Sequence, residues 1–415
     1  MDPNQTLFDL IVIGGGPAGF FCAISCLEKN STLKVCIIEK GHQLLSKVLA
    51  SGGGRCNVTN ACFDPAQLIL NYPRGGKALR GPFTRFQPHD TIKWFESRGI
   101  PLKTEQDGRV FPVSDSAKTI QSCLVRAAQD LGANIVIQSG AESIQPLPDQ
   151  SFQILLNTGT KISARKVLLA TGGSPHAYPL AASLGHSIVA PAPSLFTFNI
   201  HSPLLEGLSG LSIQDTEIQL AGTKFRQRGP VLITHWGLSG PAVLKLSAWG
   251  ARVLFEQKYQ ASLLLNWLPT FNQDSLFQRF LSEKDLTNNH LIQTTDPTHT
   301  LPRRIWKRLI DMAGISNDAA WHTASKNQLN ALATLLTRTE LKIHGKGEFK
   351  EEFVTCGGVD LKEINFKTME SKICQGIYFA GELLDIDGIT GGFNFQNAWT
   401  TGWIAGQAIA EALSG

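Results

Sequence analysis

Several features are missing from this 415-residue sequence, and each absence removes a class of function. No two of its eight cysteines, at 22, 26, 36, 56, 62, 123, 356 and 374, stand in C-x-x-C spacing, which excludes a zinc ribbon and a thioredoxin-like dithiol centre. Scattered thiols of this kind fit a reducing compartment. The ten histidines are dispersed and form no metal-ligand pattern. With 17% charged residues and a net charge of +4, no block of like charge suggests a nucleic-acid arm or a solvated tail. No segment approaches the roughly 20 apolar residues of a membrane span, and Met1 to Thr6 lack the basic start of a signal peptide. The expected location is therefore the cytoplasm, with no membrane partner. Fixed-period repeats and low-complexity tracts are also lacking.

What is present is a chain that is 42% hydrophobic, long enough to bury a sizeable core in two or three domains. Phe8 to Ile13 reads as a strand and Phe20 to Leu27 as a helix, with Gly14-Gly15-Gly16-Pro17-Ala18-Gly19 between them and a second short strand from Lys34 to Glu39. That order opens a doubly wound α/β fold. A helical pattern follows from Ser116 to Leu131, then short strands broken by turn residues at 146–151 and 157–160, ending in a strand that closes on Ala170-Thr171-Gly172-Gly173 and is expected to rejoin the parallel sheet. From Pro191 the texture becomes β-rich, around Leu195 to Ile200, Ile213 to Leu220 and Val231 to Thr234, and later helical, as in Leu301 to Met312 and Asn327 to Arg338. The opening texture returns at Gly376 to Glu382, before a glycine-rich turn and a final helix from about Phe395 to Leu413. The expected layout is a discontinuous first domain, 1–190 and 346–415, interrupted by a β-rich domain over 191–270 and a helical subdomain over 271–345.

Gly14, Gly16 and Gly19 form G-x-G-x-x-G in the setting that gives the spacing meaning, after a strand and opening a helix. Gly14 permits the tight turn, Gly16 lets backbone N–H groups approach a pyrophosphate, and Gly19 lets helix and strand pack closely, with Pro17 and Ala18 in the first helical turn. Glu39, 25 positions after Gly14, can accept hydrogen bonds from a ribose diol and disfavours a 2′-phosphate; Lys40 adjoins it. The occupant is a dinucleotide, NAD or FAD on this evidence. Three features favour FAD: the strand ending in Thr171 and Gly172, the later strand ending in Gly381 and Glu382, and the β-meander between the 116–131 helix and the first of these strands, which together resemble the two-dinucleotide-binding-domain flavoproteins.

The resemblance sharpens at Ser51-Gly52-Gly53-Gly54-Arg55-Cys56-Asn57-Val58-Thr59-Asn60, Gly108 to Pro112, Thr234 to Pro241, Thr368 to Lys372 and Ala380 to Gly388. The chain resembles, over nearly its whole length, the YhiN/BaiN-like, or aminoacetone oxidase-like, family of NAD(P)/FAD-dependent oxidoreductases. The resemblance implies non-covalent FAD in a domain interrupted by a β-rich and then helical insertion. One branch of that family is associated with reduction of steroid double bonds in bile-acid breakdown.

The remaining site candidates follow from chemistry. The loop from Ser51 through Gly52, Gly53 and Gly54 offers backbone donors, Arg55 a cation, and Asn57 and Thr59 polar side chains for the polar edge of a flavin, with Lys47 just before it. Gly391, Gly392, Phe393 and Asn394 begin the last helix, whose N-terminus can stabilise negative charge on a reduced ring, and Asp387 precedes them. Arg109 is a candidate for binding a substrate carboxylate or carbonyl, with a structural ion pair as its alternative, and His235 a candidate for moving a proton. Cys56 reads as packing. No second strand-plus-G-x-G-x-x-G unit occurs between 190 and 350, so NAD(P)H, the expected reductant of a small-molecule substrate's flavin enzyme, would bind transiently. Oxidation of a small amine without nicotinamide is the alternative reaction. RNA modification or non-catalytic flavin sensing is the alternative class, and since the best basic cluster, Arg303, Arg304, Lys307 and Arg308, reads as a solvated helix face, nucleic acid is not expected as a partner.

Overall fold

The computed structural model describes residues 7–286, 289–294, 296–347 and 354–414, so Met1 to Thr6 lie outside the described residues. Two compact units are present, one formed by Met1–Ala192 with Val354–Gly415 and the other by Pro193–Phe353.

The first unit opens with β1 (Leu7–Ile13), α1 (Pro17–Lys29) and β2 (Val35–Ile38). β1 and β2 pair in parallel, Leu10 opposite Val35. The apolar run from Ala18 to Leu27 leaves no polar face on α1, and all ten of these residues are buried. Farther on come α2 (Gly76–Phe83), α3 (Ala117–Asp130) and β3 (Asn134–Val136), the last parallel to β2. A meander follows: β4 (Ala141–Pro146), β5 (Phe152–Leu156) and β6 (Lys161–Leu169), with antiparallel pairing from β4 to β5 and from β5 to β6. Its turns fall where the sequence places them: Asp149 Oδ1 accepts from the Ser151 backbone N–H at 3.0 Å, and Gly159 takes φ +81°. β6 then runs parallel to β1, Ile13 opposite Leu169.

The second unit is built on β7 (Ser212–Leu220), β8 (Arg226–Thr234), β9 (Gly237–Ser239), β10 (Ala261–Asn266) and β11 (Thr339–Ile343), joined antiparallel. Its helices include α4 (Pro241–Trp249), α5 (Gln273–Leu286), α6 (Arg303–Met312) and α7 (Lys326–Thr337). Trp267, Trp306, Trp321 and Phe280 anchor one core beneath them. The run expected as strand over Leu195 to Ile200 is shorter than read: Leu195 turns left-handed at φ +58°, so only Phe198–Asn199 pairs.

The first unit closes with β12 (Ile377–Phe379), parallel to β6, and α8 (Phe393–Ser414). α8 lies against α1 at backbone contact distance, because Gly402 faces the Ala18 carbonyl and Gly406 the Cys22 carbonyl, where a Cβ would collide. Among the described residues no helix is long and apolar enough to cross a membrane.

Candidate functional site

The glycine turn after β1 assigns a different task to each glycine. Gly14 adopts φ +115°, and a Cβ there would come within 2.5 Å of the Ala170 carbonyl oxygen at the end of β6. A Cβ on Gly19 would run into the Gly14 carbonyl oxygen, so that glycine lets α1 start directly over the strand end. Around Gly16 the nearest atom to an added Cβ is the Ala170 oxygen at 4.0 Å. Space is left open there by the fold. α1 begins at that point with Pro17, no side-chain cap and no acid in its first turn. Its free N–H groups and the positive end of its dipole need an acceptor from outside the helix. A bare helix start beside an open glycine fits the pyrophosphate of a dinucleotide.

Glu39 follows β2 and is tied back to this turn. Its Oε2 accepts from Gly15 N–H and its Oε1 from Gly41 N–H, both at 2.8 Å. Each oxygen keeps a lone pair, so the carboxylate can also accept from a ribose. Lys40 reaches Ser174 Oγ at 3.1 Å, across the Thr171–Gly172 bend, where Gly172 sits at φ +65° and the Thr171 hydroxyl is buried without a partner. Lys47 forms an ion pair with Glu382, whose other oxygen accepts from Thr355 N–H at 2.8 Å. Gly381, at φ +74°, is held by Thr401 Oγ1 at 2.9 Å, with an added Cβ only 3.0 Å from the Ala18 Cβ. The structure thus brings the 14–19 turn, Glu39, Lys47, the 171–172 bend and the 381–382 bend to one end of the parallel strands.

The 51–60 segment is more ordered than the loop expected. Ser51–Gly54 forms a tight turn in which Gly52 and Gly53 are left-handed, and Thr59–Asn60 pairs with Arg109 and Val110. Gly53 and Gly54 face open space. Arg55 lies 4.0 Å from the Phe111 ring centroid and 2.8 Å from Glu105 Oε1. Asn57 and Thr59, expected to face a ligand, are engaged within the protein: the Asn57 amide donates to the Val110 and Thr59 carbonyls and accepts from Gly392 N–H at 2.9 Å, and Thr59 donates to Gln396 at 2.6 Å. Their work is to lock the glycine loop to the start of α8, as does Asn60 to the Gly391 carbonyl at 3.0 Å. Cys56 is fully buried and burial pushes its thiol up to about 12.

Four further candidates are also occupied by internal partners. Asp387, with no exposed surface, forms a two-point ion pair with Arg74. Asn394 exchanges two hydrogen bonds with the Gly388 backbone at 2.8 and 2.9 Å, and Phe393 packs on Tyr72, whose hydroxyl donates to the Phe393 carbonyl at 2.7 Å. Arg109 is held by Asp107 at 2.6 Å and Glu105 at 2.9 Å, leaving its Nη1 for any other ligand. His235 stands in the second unit, exposed in the turn between β8 and β9 with its ring against Trp236. Sequence reasoning missed Arg74, Glu105 and Thr355. An arginine before a glycine pair gives no sign of the aspartate 313 positions away that it meets.

A family model described as the HI0933-like protein Rossmann domain matches residues 8–408. The chain is 32% identical over 419 aligned residues to the ribosomal RNA dihydrouridine synthase of Escherichia coli K12, covering 98% of this chain and 99% of that one. It is 28% identical to the 3-dehydro-bile acid delta(4,6)-reductase of Clostridium scindens, over 96% and 98% of the two chains. Among solved structures, the 3-ketosteroid-delta4-(5alpha)-dehydrogenase of Rhodococcus jostii RHA1 has the same fold, with a TM-score of 0.51, 15% identity and 97% of each chain covered.

Proposed function

The chain belongs to the HI0933-like Rossmann family of FAD-dependent oxidoreductases, and from that premise we propose that it reduces a ring carbon–carbon double bond conjugated to a carbonyl, the substrate being a uracil in ribosomal RNA and the reductant NAD(P)H. One observation carries the reading. Two relatives that align from end to end bear names that both describe adding hydrogen across such a bond, in a uridine and in a 3-oxo steroid. RNA is favoured over steroid by the higher identity, 32% against 28%. This departs from the sequence-based expectation that nucleic acid is not a partner.

When bound, FAD supplies the two-electron chemistry that relays a hydride equivalent from nicotinamide to carbon. The chain's own residues do the rest. The start of α1 and Gly16 receive the pyrophosphate, Glu39 orients the ribose, and Lys47 with Glu382 fixes the approach of the 381–382 bend. The antiparallel strands of the second unit contain no parallel strand–glycine–helix cradle among the described residues, which supports a nicotinamide that visits and leaves.

The test is anaerobic. NADH or NADPH should bleach the flavin bands, and ribosomal RNA lacking dihydrouridine should restore them while one uridine gains 2 Da by mass spectrometry. Restoration by a conjugated 3-oxo steroid but not by RNA would replace the RNA reading with a small-molecule reductase. Bands bleached only by an amine would replace both with an oxidase.

A further inference from the structure

We propose that the exposed basic surface formed by α2 and the edge hairpin at Ile364–Asn365 and Glu370–Ser371 docks the phosphodiester backbone of the RNA. The inference rests on the RNA reading above.

Six cations line this surface: Lys77 and Arg80 on α2, Arg85 just beyond it, Lys367 at the hairpin tip, and Lys362 and Lys372 at its base, all exposed. Their adjacency is set by contacts. Arg85 donates to the Lys367 carbonyl, and its guanidinium lies 5.7 Å from the Trp403 ring centroid. Trp403 is in turn stacked on Phe86 at 5.3 Å. Lys372 Nζ donates to the Lys362 carbonyl at 2.8 Å, which joins the two ends of the hairpin. These contacts join Arg85, just past the end of α2, to the hairpin.

The acids on these elements are engaged by backbone N–H groups. α2 carries no acidic residue. Around the hairpin, Glu363 accepts from Ser187 N–H and Glu370 from Gly376 N–H, both at 2.9 Å, and Asp360 accepts from Lys362 N–H at 2.9 Å. Lys77, Arg80, Lys362 and Lys367 make no ion pair among the described residues. A protein surface normally intersperses the two signs of charge. Unpaired cations spaced along a helix and a neighbouring hairpin instead match a polyanion, and phosphates supply most of the affinity in nucleic-acid binding. In the cluster that sequence reasoning weighed, on α6, Arg304 donates to the Gly207 carbonyl and Arg308 to the Pro203 and Glu206 carbonyls, which leaves Arg303 and Lys307, two cations against the four that remain on α2 and the hairpin beside Arg85 and Lys372.

The experiment compares full-length, FAD-loaded wild type with K77Q/R80Q/K367Q in binding fluorescently labelled ribosomal RNA at several salt concentrations. Each lost phosphate contact lowers the slope of log K against log salt by about 1, so the variant should lose roughly 3 in slope and at least about tenfold in affinity at physiological salt. Flavin absorbance, melting temperature and the rate of bleaching by nicotinamide should match wild type, since all three side chains are exposed. K77Q and K367Q, measured singly, should each lose part of the slope. If wild type binds and reduces RNA but the triple variant keeps its slope and affinity, the docking surface is wrong and the RNA reading stands. If wild type neither binds nor reduces RNA, the reading has failed and the surface with it.

Discussion

Replacing glycine by alanine at positions 16 and 19 should have opposite effects, because one glycine is kept for a ligand and the other for the fold. At Gly16 an added methyl meets only an oxygen 4.0 Å away, and φ is −91°, a value alanine adopts freely. Removing glycine's freedom in the unfolded chain should then stabilise the apoprotein by about 0.4–1 kcal/mol. The same methyl fills the approach to the helix start, where charge-assisted hydrogen bonds to an anion contribute about 1.5–3 kcal/mol each. Losing the equivalent of one or two of them corresponds to a roughly 100-fold weaker FAD complex. At Gly19 the methyl collides with the Gly14 carbonyl, and overpacking of this kind costs about 1–3 kcal/mol. For a unit of this size that is a fall of roughly 3–10 °C in apoprotein melting temperature. The assay is thermal melting of both apoproteins, with FAD titration followed by flavin fluorescence. Wild-type FAD affinity in G16A, or a destabilised G16A apoprotein, would refute the division of roles.

Other outcomes follow from the same geometry. Asp387→Asn removes the buried carboxylate that Arg74 meets at two points; the expected loss is about 1.5–3 kcal/mol, read by urea unfolding, with R74M/D387N recovering part of it. Burial lowers the pKa of His186, whose ring is 2.8 Å from Ser371 Oγ, so its neutral form stabilises the fold above the ordinary histidine value, and that stability is lost as pH falls through the lowered one. His186→Gln should therefore flatten the pH dependence of unfolding below about pH 6.5, and an unchanged profile would count against this assignment. Cys56, fully buried and with its thiol pushed up to about 12, should resist iodoacetamide at pH 8, while the half-buried Cys62, Cys123 and Cys374, whose thiols burial also raises, should react faster because the reagent can reach them, as peptide mass mapping would report.

Those features whose cause is local were legible in the sequence. The 14–19 turn is encoded by glycines within six residues, and the meander by its turns, so strand, helix and cradle could be placed directly. The residues that proved harder are those whose partners are far away. Asp387 reads as a ligand residue because it sits in a glycine-rich closing segment, yet Arg74 neutralises it from 313 positions upstream. Asn57 and Thr59 have the right polarity for a flavin edge, but a buried amide and hydroxyl must be satisfied, and Gly392 and Gln396 satisfy them. In each case composition gave the chemistry of the side chain, and only packing decided which way it was spent.

The split layout of the first unit has a consequence for the order of events during synthesis. β6 gains its neighbour β12, and α1 its cover α8, only after the 161 residues from Pro193 to Phe353 have been made. At about 5–20 residues per second that interval lasts on the order of ten to thirty seconds, through which an unpaired parallel strand edge and a largely apolar helix wait in the nascent chain. The inserted unit has its own core and can fold meanwhile. The candidate site at the ends of the parallel strands is therefore among the last parts of the molecule to be completed, and a chain that stops short of α8 is expected to aggregate and not to form a smaller flavoprotein.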